Sequence, residues 1–220
     1  EQVLTLTGKT NTIEAERLRA IAERAKTRYN FRVDFIDPKQ LERFADDFRI
    51  VYNAAFGHFE HFKPLKTTQV LDLFAAAKPI MDPKLVVVAY LDDQPVGFCA
   101  LLPDINPALK HAKGKLNLWS LPRFLWKLRF AKNKVAKGVA FGIHPEHQRK
   151  GVFAIMVDKM YIPHNVNTYP TIALATIRGH NEMMIKTTRA LGVTPERVHI
   201  HYRKLLDDSI VLEPFPFLEI

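Results

Sequence analysis

Val135–Ile162, VAKGVAFGIHPEHQRKGVFAIMVDKMYI, decides how the rest of the chain is read. An apolar run from Val139 to Ile143 passes through His144 and Pro145 into a polar turn. Beyond the turn, Val152, Ile155, Met156 and Met160 recur at helical spacing. The stretch therefore predicts a strand, a loop and a helix. The loop, Gln148-Arg149-Lys150-Gly151, contains no acid and places a glycine where the helix opens. The first amides of a helix lack internal partners and sit at the positive end of its dipole, so this turn suits an anion, and Gly151 would let a phosphate approach the backbone.

Two motifs in order carry a family resemblance. Ile143-x-Pro145 followed by Gln148 and Gly151 resembles the central motif of the GNAT acyltransferase superfamily, with Phe153 standing where that pattern has glycine or alanine. Downstream, the apolar run Thr171 to Ile177 reads as a strand, Asn181 follows it, and Leu191-Gly192-Val193 resembles the end of the family's next helix. The resemblance implies a GNAT-like α/β (α+β) fold: a mixed, mostly antiparallel central sheet flanked by helices. It also implies acetyl-CoA or another acyl-CoA as co-substrate, held by Ile143, Gln148, Arg149, Lys150, Gly151, Val152, Phe153, Ala154 and Asn181. The central motif would take the pyrophosphate and the asparagine the pantetheine arm.

The catalytic positions depart from that pattern. Where family members often place a tyrosine as general acid, this chain has Thr188, and the strand Val135 to Ile143 contains no acid to act as base. His144, Glu146 and His147 are the substitutes, and a histidine titrates near neutral pH. His144 is the candidate base and Thr188 the candidate proton donor.

Length and charge narrow the classes. A chain of 220 residues makes one large domain, or a domain with an appendage. No apolar segment reaches the ~18 residues of a spanning helix, and nothing at the amino end resembles a signal peptide, so a cytoplasmic protein is expected. Cys99, the single cysteine, sits in an apolar run and reads as a small core hydrophobe. Between Ile105 and Pro145 lie nine Lys or Arg residues and no Asp or Glu, matching the formal net charge of +9. Such a cluster attracts anions: CoA phosphates, an anionic acceptor, nucleic acid or an acidic membrane.

Asn11 with Glu14 suggests a capping box, and residues 1–30 read as a linker helix from an upstream region, by resemblance a second GNAT-like module. The GNAT-like domain is expected over 31–206, with an insertion at 103–134 and a tail at 207–220. Within it, Phe31 to Ile36 alternates like a first strand, and the apolar stripe Leu41 to Ala55 predicts a helix. The loop that follows carries Phe59, His61 and Phe62, candidates for acceptor contact. His58, Glu60 and His61 are too close together, without a remote fourth ligand, to predict a metal site. A helix from Thr68 to Lys78 precedes a hairpin, Leu85 to Leu91 and Val96 to Leu102, turning at Asp92-Asp93.

The insertion's helix, Leu116 to Phe130, holds Trp119 and Trp126 among basic residues. It can pack on the sheet edge, cover an acceptor pocket with its tryptophans, or lie on an anionic membrane. Val198 to Leu205 alternates as a half-exposed last strand closing the sheet. Three functions fit. The first is acyl-CoA-dependent N-acyl transfer to the primary amine of a small molecule or amino acid. The others are transfer from charged tRNA, with RNA on the basic insertion, and a catalytically silent acyl-CoA or partner-binding module.

Overall fold

The computed structural model describes residues 1–59, 62–111, 117, 119–132, 134–189, 191–202 and 204. Its strands are β1 (Gln2–Lys9), β2 (Phe31–Phe35), β3 (Val86–Leu91), β4 (Gln94–Pro103), β5 (Val135–Ile143), β6 (Thr171–Arg178) and β7 (Thr194–Ile200). The helices are α1 (Ala15–Arg28), α2 (Leu41–Phe56), α3 (Thr67–Ala77), α4 (Asn106–His111), α5 (Ser120–Phe130), α6 (Val152–Met160), α7 (Pro163–Thr168) and α8 (Glu182–Arg189). The strands form one seven-stranded sheet in the order β2-β3-β4-β5-β6-β1-β7. All neighbours pair antiparallel except β5 and β6, which are parallel.

Strand β3, VVVAYL, shows why the sheet has two covered faces. Side chains alternate along a strand, and Val87 and Ala89 join the core under α1 and α6, while Val86, Val88 and Tyr90 join the core under α2 and α3. A strand buried on both faces needs an unbroken apolar run, and this one has it. The β3–β4 hairpin turns on two residues, Asp92 and Asp93, with φ of 48° and 63°, the twist a tight hairpin requires. Asn30 and Arg32 donate to the two carboxylates and hold β2 to the turn. Cys99 packs on the first core, and burial pushes its thiol up to about 12. It behaves as the expected small hydrophobe.

Residues 1–30 are not a linker. Val3, Leu4 and Leu6 are buried, and β1 lies between β6 and β7. Leu18, Ala22 and Ala25 bury one face of α1 in the same core as α6, and Asp158 of α6 accepts hydrogen bonds from Arg19 and Lys26 of α1. The sheet therefore includes β1, upstream of the expected boundary at Phe31. The last strand also differs: β7 starts at Thr194, every residue of it is exposed, and it is an edge strand paired to β1 alone. The hydroxyl of Thr10 and its amide bond the carbonyls of Tyr169 and Pro170, fixing the end of β1 to the start of β6. The tail expected at 207–220 lies outside the described residues.

Candidate functional site

The sheet opens at one place. β5 and β6 pair only over Val135–Gly138 and Thr171–Leu174. Beyond that, β5 stays with β4 as far as Ile143 opposite Gly97, and β6 stays with β1 as far as Arg178 opposite Val3. Each strand is irregular where they part. On β5 the register with β4 shifts at Val139, which is 60% exposed; on β6 Thr176 takes φ of 60°, beside a register shift against β1. Bulges bend and twist a strand, so these residues steer the two apart. Alternate backbone amides of Val139 to Ile143 are left facing the gap without a strand partner.

The loop Gln148 to Gly151 joins the end of β5 to α6. Arg149 and Gly151 both take left-handed φ, 65° and 89°, and the first backbone bond inside α6 runs from the Ile155 amide to the Gly151 carbonyl. The amides of Val152, Phe153 and Ala154 precede it and point out of the helix start. Gly151 has a different reason for being glycine than a phosphate contact. A Cβ there would stand 2.7 Å from the Cβ of Ala25, so the space beside it is filled by α1. Phe153 does not fill the turn either: its ring packs on the first core and meets Phe141 of β5 edge-on at 5.5 Å.

The two histidines of the loop present donors. The Glu146 amide donates to His144 Nδ1 at 3.4 Å, and the Lys150 ammonium lies 3.2 Å from His147 Nδ1. An ammonium has no acceptor and an amide N–H only donates, so in each neutral ring the hydrogen sits on Nε2. Burial, then the charge of Lys150, holds His147 below the usual histidine range and keeps it neutral near pH 7. The nitrogen a base would use is already engaged in both rings. When neutral, each ring thus offers an Nε2–H donor, and the Nδ1 lone pair of His144 meets the Glu146 amide. Donor atoms of His144, Glu146 and His147 lie within 4.8 Å of one another, but Lys150 and Arg149 beside them oppose a cation.

Thr188, the candidate proton donor, is 1% exposed, and its hydroxyl donates to the Ile185 carbonyl within α8. Asn181 caps α8 by accepting the Met184 amide on its side-chain oxygen, which leaves the carboxamide NH2 for a ligand.

On the other face, α2 runs over the end of β5, where a Cβ on Gly142 would meet Ala55 and the Phe98 ring. From there an aromatic series leads outward: Tyr52 to Phe56 at 4.7 Å, Phe56 to Phe59 at 6.0 Å, and Tyr52 to Phe62 at 6.0 Å. Phe59 and Phe62 thus extend the aromatic face of the α2 end; His61 is outside the described residues. Trp119 and Trp126 are not part of this group. They sit on α5, whose buried residues Phe124 and Leu128 pack with Ala108 and beside Ile80, Ile105 and Leu109, and at 92% and 58% exposure they cover no pocket.

No protein-family model matches the chain. It is similar to protein YghO of Escherichia coli, 22% identical over 170 residues that cover 74% of this chain and 44% of that protein. It is also similar to the bacterial ceramide synthase of Caulobacter vibrioides, 26% identical over 98 residues, 44% of this chain and 26% of that protein. The chain spans less than half the length of each relative. Among solved structures, a GCN5-related N-acetyltransferase from Sphaerobacter thermophilus superposes with TM-score 0.51 at 11% identity, over 90% of this chain and 49% of that one. Over nearly its whole length the chain thus carries a GNAT-like fold, a seven-stranded mixed sheet flanked by helices.

Proposed function

We propose that the chain is an acyl-CoA-dependent N-acyltransferase acting on the primary amine of an amphiphilic, long-chain acceptor. The observation that carries this reading is the parting of β5 from β6 beside a helix start with free amides, in a loop where Arg149, Lys150 and two imidazoles supply positive charge and N–H donors. That donor set fits a diphosphate, and the unpaired amides of β5 fit a polarised carbonyl oxygen in the gap.

Bound there, an acyl-CoA would supply an activated acyl group on a thioester. The chain's own part is positioning and charge. The loop holds the phosphates, Asn181 offers its NH2 to the arm, and a β5 amide donates to the carbonyl oxygen. The Nε2–H of His144, at the end of β5, is the candidate donor to the departing sulfur. No described acid stands on β5 to take the amine proton, so water carries it out through the open end of the gap.

An aromatic approach surface, Tyr52, Phe56, Phe59 and Phe62, suits an apolar acceptor better than a free amino acid, and the partial likeness to a ceramide synthase agrees with an amine of that class. The test is isothermal titration of acetyl-CoA and longer acyl-CoAs, followed by thiol release in the presence of a long-chain amine or an amino acid. Saturable CoA binding that weakens at least about tenfold in Arg149→Glu/Lys150→Glu supports the reading. No heat and no thermal shift with any CoA discards it, and thiol release only with an amino acid discards the long-chain acceptor.

A further inference from the structure

We propose that the outer face of α5 is a docking surface for an anionic phospholipid bilayer. The helix has two apolar faces. At about 100° per residue, Phe124 and Leu128 fall on one side, and Trp119, Trp126 and Phe130 fall within about 40° of one another on the opposite side. The first pair is buried against Ala108, Ile80, Ile105 and Leu109, which anchors the helix to α4 and the end of α3. The second set is 92%, 58% and 65% exposed, with the Trp126 and Phe130 rings 5.6 Å apart. Residue Trp119 already has helical dihedrals, so the three rings share one continuous surface.

The charge around that face selects its partner. Arg123 and Arg129 flank the rings on either side, the Lys127 ammonium lies 5.7 Å from the Trp126 ring, and no acid occurs between Ile105 and Pro145. Aromatic rings at the centre with basic stems at the rim match a bilayer boundary, where indoles take the headgroup level and cations meet lipid phosphates. A second copy of the chain would set like charge against like, and a nucleic acid would leave Phe130 without an apolar partner. At eleven residues α5 lies on a surface and is too short to span one. This inference is independent of the acyl-transfer reading, because none of its residues belongs to the gap between β5 and β6.

The chain carries its own reporter: its two tryptophans are both on this face. The 220-residue chain is mixed with vesicles of phosphatidylcholine, or of phosphatidylcholine with phosphatidylglycerol, and read by tryptophan emission and co-sedimentation. Expected are a blue shift, quenching by brominated acyl chains, and pelleting with the anionic vesicles only. Arg123→Glu/Arg129→Glu should weaken pelleting by about tenfold or more. In Trp126→Ala the remaining Trp119 should still shift, at higher lipid, and both variants alter exposed positions, so an unchanged melting curve separates docking from folding. Equal response to neutral vesicles overturns the proposal. So does a shift produced by RNA but not by lipid, or emission already blue and unresponsive in buffer, which would mean that the chain or a second copy covers the face.

Discussion

Gly151 shows how a single position can be legible for one reason and built for another. Its motif spacing marks a phosphate-binding turn, whereas its φ of 89° and the Ala25 Cβ beside it demand glycine whether or not an anion binds. Gly151→Ala should therefore cost about 1–3 kcal/mol in urea denaturation even without CoA, so the charge reversal at Arg149 and Lys150 is the cleaner probe of the site. Thr188 illustrates the reverse case: the family resemblance puts a general acid at this position, whereas its burial and its bond to the Ile185 carbonyl mark a helix-packing residue. Thr188→Val should leave kcat within about twofold and lower stability by about 0.5–1.5 kcal/mol; a large loss of kcat would restore its catalytic role. His147 gives a pH signature. Its folded pKa lies below that of the unfolded chain, so the unfolded state binds more protons in that interval and stability falls as pH drops below the usual histidine range. Protonation of the same ring, beside Lys150, His144 and Glu146, adds positive charge to the loop. CoA affinity by titration calorimetry should rise over the pH range in which thermal stability declines.

At the scale of elements, the stretches with clear periodicity were legible. The expected β3–β4 hairpin, α2, α3, β5, α6 and β6 all stand within a few residues of where the apolar pattern places them. The amino-terminal strand was not, although VLTLTG alternates as a strand should, because the charges of α1 made the whole segment resemble an exposed connection. What α1 buries is only a narrow stripe of Leu18, Ala22 and Ala25, and alanines leave little hydropathy signal. Nor can periodicity reveal that β5 and β6 part, since the parting depends on bulges at Val139 and Thr176 in otherwise regular runs. The correction is open to measurement. Leu4→Ala should destabilise the chain by about 2–5 kcal/mol, and deletion of residues 1–9 should abolish cooperative unfolding. If the segment were only a connection, neither change would matter.

At the scale of the whole molecule, the end of the sheet opposite the loop is held by a polar latch. Asp82, ahead of β3, accepts from His164 of α7 at 3.0 Å, from the Tyr169 hydroxyl at 3.0 Å and from the Lys84 amide. Asn165 donates to the Lys84 and Met160 carbonyls across the same junction. Burial alone would raise the Asp82 carboxyl, but these hydrogen bonds outweigh it and hold it below the ordinary carboxylate range. The stability it contributes is complete above the unfolded carboxyl's pKa and is lost as pH falls through the lower, folded one. Asp82→Asn should cost about 1–3 kcal/mol near neutrality, and the difference from the native chain should vanish in strong acid.

The placement of β1 also bears on the order of events at the ribosome. Of the described strands it is translated first, yet both of its neighbours in the sheet are translated last, so its apolar Leu4 and Leu6 wait, unpaired, until the other described strands have emerged. Closure of this sheet is thus a late, long-range event, and among the described strands nascent β1 is the one most in need of chaperone cover.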